Sequence, residues 1–303
     1  MSAQELATLI SMMSQGGPNL AAPPAQARAE FEGLLASVPV APDLKIEAAQ
    51  AGGVPGLWVD APGARQERVM LYLHGGGYVS GSANGYRPLV GELGRAAKTR
   101  ALAIDYRLAP EDPFPAAVDD ILTAYKSLLD RGIPAKSVVF AGDSAGGGLV
   151  VTGMMAIRDV GLPLPAAGLC ISPWLDLECS GASMKSKAES DLALSRDELL
   201  HAGRSYRGGT KGEGRGGQLS PLNADLSGLA PLLIQVGSAE ILLDDATRLA
   251  ARAGAADVSV RLEIWPNMPH VWHLFGFMLS EGRDAIRSAG NFLETHMNEY
   301  MSR

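Results

Sequence analysis

The strongest constraint on the fold is a series of short apolar runs separated by helical segments. Six runs have the length of strands: 69–73 (VMLYL), 101–106, 138–141, 168–172, 232–236 and 258–265. Helical periodicity occupies the stretches 88–97, 116–129, 145–158, 244–253 and 282–297. Apolar strands that alternate with helices predict a parallel sheet covered by helices on both faces. A short antiparallel pair is predicted before it, at 45–51 and 56–60.

Two regions depart from this rhythm. Residues 1–42 carry two helical patterns, and residues 180–217 carry two more and end in a glycine-rich run, GGTKGEGRGG, that is too polar to pack in a core. We therefore predict a main α/β domain formed by residues 43–179 and 218–303. Residues 1–42 are predicted to be N-terminal cap helices, and residues 180–217 a second cap segment with a surface loop.

Composition limits the partners and the location of the chain. The net charge of −7 and the lack of any basic block argue against nucleic acid or an anionic membrane as the main partner. No stretch approaches the roughly 20 apolar residues of a membrane span, and the N-terminus lacks a signal-peptide pattern. The two cysteines do not make a disulfide scaffold. A cytoplasmic location is expected.

The most specific motif is Gly142-Asp143-Ser144-Ala145-Gly146, which lies between a predicted strand and a predicted helix. A G-x-S-x-G sequence in that context is typical of a nucleophile elbow, a tight turn that exposes the serine hydroxyl at a helix N-terminus. The two flanking glycines leave room for the close approach of strand and helix. Ser144 is therefore predicted to be the nucleophile of an acyl-transfer reaction.

A second motif, His74-Gly75-Gly76-Gly77, follows the strand at 69–73 directly. Glycines allow backbone N–H groups to turn towards a developing oxyanion, and acyl transfer needs two or three such donors. We predict that Gly75, Gly76 and Ala145 form this oxyanion hole. His74 is predicted to have a structural role.

A serine nucleophile needs a histidine base and an acid that orients it, in the chain order serine, acid, histidine. His270 and His273 both follow the last predicted strand, and we favour His270, in a loop stiffened by two prolines. Glu240 lies nearest the end of the preceding strand and is the predicted acid. Asp244 and Asp245 have the positions of acidic residues in the first turn of a helix.

With these motifs in place, the chain resembles the bacterial hormone-sensitive-lipase-like carboxylesterases (family IV esterases) of the α/β-hydrolase superfamily. HGGG followed by GDSAGG is the paired signature of that family, and the stretch from Tyr106 to Glu111 (YRLAPE) also resembles it. The likeness runs from about residue 55 to the C-terminus. Two positions differ: the family usually has aspartate where Glu240 stands, and commonly glycine where Val271 stands.

The resemblance implies an α/β-hydrolase fold with a mostly parallel eight-stranded sheet, flanking helices and a helical cap. It also implies no cofactor or metal ion, and small esters of short or medium acyl chain as substrates. Five residues are predicted to contact the substrate: Met13, Trp174, Met184, Tyr206 and Trp272. A homodimer through an exposed edge strand is compatible with such a sheet.

Two other functions use the same fold. A lactone or amide hydrolase would carry identical machinery, because the elbow does not specify the leaving group. A non-catalytic small-molecule receptor would lack a working base. The presence of Ser144, Glu240 and His270 together argues against the receptor.

Overall fold

The computed structural model describes residues 3–210, 212, 214 and 217–298, and these contain one eight-stranded sheet. The strands are β1 (Lys45–Ala51), β2 (Val54–Asp60), β3 (Arg65–Leu73), β4 (Thr99–Ile104), β5 (Val138–Asp143), β6 (Gly168–Ile171), β7 (Leu232–Gly237) and β8 (Val260–Trp265). Their spatial order is β1-β2-β4-β3-β5-β6-β7-β8, in which β2 runs antiparallel to β1 and β4 and the other pairs are parallel. The predicted fold class is confirmed.

Helices connect the parallel strands and cover the sheet. They are α1 (Ala3–Met13), α2 (Pro24–Ala36), α3 (Arg87–Ala97), α4 (Ala116–Asp130), α5 (Ala145–Asp159), α6 (Ser183–Ser186), α7 (Arg196–Arg207), α8 (Leu243–Ala255) and α9 (Ser280–Asn298). Each helix predicted between strands is found within a few residues of its expected bounds. Among the described residues, no helix has both the length and the apolar character needed to cross a membrane.

The core has two halves because successive strand residues point to opposite faces of the sheet. On β3, Val69, Leu71 and Leu73 belong to one buried cluster. Met70 and Tyr72 belong to the other. Both sets are fully buried, which explains why the run VMLYL shows no polar alternation.

The parallel strands end at one edge of the sheet, and the residues predicted to form the site follow their C-terminal ends. His74 follows β3, Ser144 follows β5 and Ser172 follows β6. Glu240 comes three residues after β7, and His270 five residues after β8. In open parallel sheets this edge is where ligands bind, so the topology itself gathers the predicted site.

Candidate active site

Ser144 occupies a strained turn between β5 and α5. Its backbone has φ 53° and ψ −121°, outside the regions that residues with a Cβ normally adopt. A Cβ on Gly146 would collide with the carbonyl oxygen of Leu73, and one on Gly142 would collide with the carbonyl of Gly146. Both glycines are therefore required by the geometry of the turn. The turn has the strand–turn–helix geometry that the motif predicted.

Glu240 and His270 form a buried, hydrogen-bonded pair. Nδ1 of His270 lies 2.8 Å from Oε2 of Glu240, whose side chain is fully buried. The other oxygen of Glu240 accepts hydrogen bonds from Gly237 N (2.6 Å) and from the hydroxyl of Ser172 (2.7 Å). The carboxylate is thus held by two donors on one oxygen and faces the imidazole with the other. Sequence analysis missed Ser172, although its position at the end of β6 was an available signal.

The electrostatics of the site raise the pKa of His270. Burial disfavours the imidazolium, but the hydrogen bond and the charge of Glu240 outweigh it, so the pKa of His270 is raised. The charges of Asp191 and Asp143 act in the same direction. His273 differs, since burial and the nearby His270 lower its pKa to about 3. Nε2 of His273 pairs with the Gln235 side chain at 2.9 Å, away from Glu240.

Asp143 organises the loop that follows β3. Its carboxylate accepts hydrogen bonds from the hydroxyls of Tyr72 and Tyr86, both at 2.7 Å, and from Gly75 N at 2.9 Å. Burial raises the pKa of Asp143 to about 6, although these donors oppose the shift. The prediction that Gly75 holds the oxyanion is therefore wrong, because its N–H already serves a buried carboxylate.

Gly76 and Gly77 are better placed than Gly75 to hold an oxyanion. Both line the same cavity as Ser144 and His270, and both have positive φ (116° and 64°). No backbone carbonyl of the described residues accepts either N–H. Ala145 N is the first amide of α5 and so has no acceptor within the helix. Gly77 was not singled out from the sequence, where the three glycines are indistinguishable.

The cavity above Ser144 is small, about 170 Å³, and mostly apolar. The N-terminal segment forms one wall, with Met12, Met13, Leu20, Phe31 and Leu34. The opposite walls come from residues 192–194 and from the stretch 270–275. Residues from both predicted cap segments, 1–42 and 180–217, thus face the cavity. Met13 lies where sequence analysis expected it.

The other four predicted pocket residues do not line this cavity. Trp174 and Trp272 are fully buried, and their indole N–H groups donate to the carbonyls of Asp176 and Glu281. Met184 is buried in the core of the main domain, and Tyr206 stacks on Tyr78 with ring centroids 3.9 Å apart. These four predictions are wrong because each side chain packs in the interior beneath or beside the cap.

Asp191 was also missed, and it connects residues 192–194 of the predicted second cap segment to the residue that follows Glu240. Its carboxylate accepts from Ala193 N and Leu194 N, both at 3.0 Å, and from Ile241 N at 2.8 Å. It therefore ties the cavity wall at residues 192–194 to the residue that follows Glu240. Asp244 and Asp245 lie in the first turn of α8, as predicted. Asp244 bonds Ser183 N, and Asp245 bonds the N–H groups of residues 175 and 176.

Comparisons with known proteins agree with this fold. A protein family described as having the α/β-hydrolase fold matches residues 70–274. An acetyl-hydrolase of Streptomyces hygroscopicus is 48% identical over 242 residues, which cover 80% of each chain. An esterase of Acinetobacter venetianus is 33% identical over 84% of this chain and 83% of its own.

Solved structures are similar over almost the whole chain. An esterase from the bacterial hormone-sensitive lipase family superposes with a TM-score of 0.93 at 44% identity, covering 98% of this chain and 99% of its own. The structure of EstE5 soaked with p-nitrophenyl butyrate has a TM-score of 0.91 at 41% identity, with coverage of 98% and 100%.

Proposed function

This chain belongs to the bacterial hormone-sensitive lipase family of carboxylesterases with the α/β-hydrolase fold, and from this premise we propose its mechanism and its substrate range. Short- to medium-chain acyl esters are hydrolysed through an acyl-enzyme on Ser144. The observation that carries the proposal is the buried Glu240–His270 pair, with Nδ1–Oε2 at 2.8 Å, which opens on the same cavity as Ser144.

In the first half-reaction, the Ser144 hydroxyl attacks the ester carbonyl carbon while His270 takes its proton. The carbonyl oxygen becomes an oxyanion that accepts hydrogen bonds from the N–H groups of Gly76, Gly77 and Ala145. His270 then gives the proton to the departing alcohol, and the acyl group stays on Ser144. Glu240 keeps Nδ1 protonated and stabilises the imidazolium that forms.

In the second half-reaction, His270 removes a proton from water, and the resulting hydroxide attacks the acyl carbon. Collapse of the second tetrahedral intermediate releases the carboxylic acid and returns the proton to Ser144. Each step moves one proton between His270 and an oxygen, so no further reactant is required. The positive charge on His270 is favoured by the buried carboxylates that raise its pKa.

The size and lining of the cavity support substrates at the short end of the range. About 170 Å³ is below the ~300 Å³ at which drug-sized pockets begin. Most of the side chains that line the cavity are apolar and bind hydrocarbon. The acetyl-hydrolase similar to this chain is consistent with a small acyl group.

Hydrolysis of p-nitrophenyl esters of increasing acyl length tests the proposal, with Ser144→Ala as the control. We expect activity that peaks at short acyl chains and is abolished by Ser144→Ala. Covalent labelling of the wild type by an organophosphonate, absent in Ser144→Ala, is the second readout. A folded wild type that neither hydrolyses the esters nor takes the label would overturn the proposal. Labelling without ester hydrolysis would redirect it to a lactone or an amide.

A further inference from the structure

Leu274 separates the active-site cavity from a second, larger concavity. The second concavity is a groove of about 640 Å³ on the outer side of the molecule, between α3, α9 and the segment 38–42. Leu274 lines both spaces. Next to it, Ser37 faces the cavity and Val38 faces the groove. The side chain of Leu274 and the chain at residues 37 and 38 therefore lie between the nucleophile's cavity and the groove.

The groove is lined for contact with hydrocarbon. Leu89, Ala96, Phe277 and Ile286 contribute apolar side chains, and Phe277 is 49% exposed. Its charged members are already paired: Arg95 bonds Asp43 at 2.8 Å, and Arg287 bonds Asp284 at 2.7 Å. Glu92 and Arg283 also line the groove and lie 3.5 Å from Arg95 and 4.0 Å from Glu5, so an apolar chain in the groove would face paired charges and no isolated one.

We propose that Leu274 limits the length of the substrate chain, and that the groove behind it can hold the chain of a longer ester once this side chain is shortened. The proposal rests on the function proposed above, because it assumes that substrate occupies the cavity. Leu274 is a specificity-determining position: it contacts the end of the chain and leaves Ser144, His270 and Glu240 untouched. The short 3₁₀ helix Trp272–Phe275 fixes it, through the hydrogen bond from Leu274 N to the carbonyl of Val271 (3.1 Å).

The test measures kcat/KM in two matched series, p-nitrophenyl esters of increasing acyl length and acetates of increasing alcohol length. The two series identify which arm of the substrate lies against Leu274. Leu274→Ala is expected to shift the optimum of one series to chains at least four carbons longer. Each buried methylene contributes a factor of about four, so the octanoate-to-butyrate ratio, or its alcohol equivalent, should rise about tenfold or more.

Leu274→Phe tests the opposite direction and guards against loss of folding in the alanine variant. The larger side chain should shorten the optimum and depress butyrate relative to acetate. Leu194→Ala is the matched control, because it removes the same atoms from a cavity wall that does not border the groove. It should favour slightly larger esters without admitting the long chains. The double variant Leu274→Ala/Phe277→Asp should lose the gain on long esters, since a carboxylate now lies in the groove.

The outcomes separate this inference from the proposed function. If wild-type activity on short esters depends on Ser144 but Leu274→Ala and Leu274→Phe both leave the two length profiles unchanged, the partition is refuted and the esterase mechanism stands. An equal shift in Leu194→Ala and Leu274→Ala would also refute it, because cavity volume alone would then set the limit. Absence of Ser144-dependent hydrolysis would remove the premise itself.

Discussion

Replacing Glu240 by glutamine tests the acid of the proposed triad most sharply, because the structure determines how the amide must sit. Oε1 of Glu240 accepts from Gly237 N at 2.6 Å, and a backbone N–H cannot turn into an acceptor. The amide oxygen of Gln must therefore take this place, and its NH₂ must face Nδ1 of His270. That contact forces the proton onto Nε2, where the imidazole can no longer accept the proton of Ser144.

The expected effect is a loss of about 10³- to 10⁴-fold in kcat, as for a triad held in the wrong tautomer. This corresponds to roughly 4–5.5 kcal/mol of transition-state stabilisation. The pH profile should change as well. The charge and hydrogen bond of Glu240 raise the pKa of His270 against the effect of burial. Their removal lowers that pKa, so the acid limb of kcat/KM should move to lower pH in the residual activity.

Steady-state kinetics of p-nitrophenyl acetate hydrolysis between pH 5 and about 9 measure both effects, with thermal unfolding as the check on folding. The matched control is Asp244→Asn, since the Asp244 carboxylate bonds Ser183 N at 2.9 Å and does not contact His270. It should keep near-normal turnover and an unchanged acid limb. The assignment of the acid would be refuted if Glu240→Gln retained more than a tenth of the wild-type kcat. It would also be refuted if Asp244→Asn lost kcat to the extent expected for Glu240→Gln.

Three further predictions concern the groups around the triad. Asp143→Ala should lower kcat about 10- to 100-fold with little change in KM, because Gly75 N then loses the acceptor that holds the oxyanion loop. In the folded protein the pKa of Asp143 is raised to about 6, so its contribution to the free energy of unfolding is largest at acid pH and is lost as the pH rises through 6. The resulting decrease of the urea midpoint with pH should be absent in the variant. Val271→Gly should lower the free energy of unfolding in urea by about 1 kcal/mol. Glycine relieves the left-handed backbone at this position (φ 50°, about 1–2 kcal/mol), but the loss of a buried valine side chain costs more (about 1.5–3 kcal/mol). A variant more stable than the wild type would contradict this. Glu5→Ala should raise KM severalfold without changing kcat, because one oxygen of Glu5 accepts from Ser280 N and from the Ser280 hydroxyl and so ties α1, which carries Met13, to α9. Thr8→Ala, on the same helix, should change neither KM nor kcat.

The positions in the fold that the sequence predicted for Ser144, His270 and Glu240 depend on local geometry. The elbow is fixed within five residues, because Gly142 and Gly146 are the only side-chain-free positions that let β5, Ser144 and α5 meet. The position of His270 follows from its place after the last strand, and Glu240 from its place after the preceding strand. A parallel sheet brings such strand ends together whatever the intervening sequence.

The parts that failed depend on contacts between distant segments. Gly75, Gly76 and Gly77 look alike in the sequence, but in the structure the N–H of Gly75 donates a hydrogen bond to Asp143. Asp143 lies far along the chain, so the spacing of the three glycines does not show which N–H groups stay available. Tyr206 was expected to line the pocket, but its ring stacks on the ring of Tyr78. Neither partner is encoded by the spacing around the residue itself. The wall at residues 192–194 was missed for the same reason, since it is held by Asp191 against the N–H of Ile241.

In the proposed mechanism, buried carboxylates around one imidazole stabilise the charge separation of acyl transfer within a mostly apolar cavity. Glu240, Asp191 and Asp143 all favour the protonated form of His270, yet only Glu240 bonds it. The other two are held by donors from separate segments: Asp191 by the cap wall and Ile241, and Asp143 by Gly75 and two tyrosines. The carboxylates that stabilise the developing imidazolium therefore also fix the oxyanion loop and the cavity wall. The hydrogen bonds that hold Asp143 and Asp191 near His270 also hold the oxyanion loop and the cavity wall in place. A variant that neutralises Asp143 or Asp191 should therefore disturb both the stabilisation of the imidazolium and the positioning of the substrate.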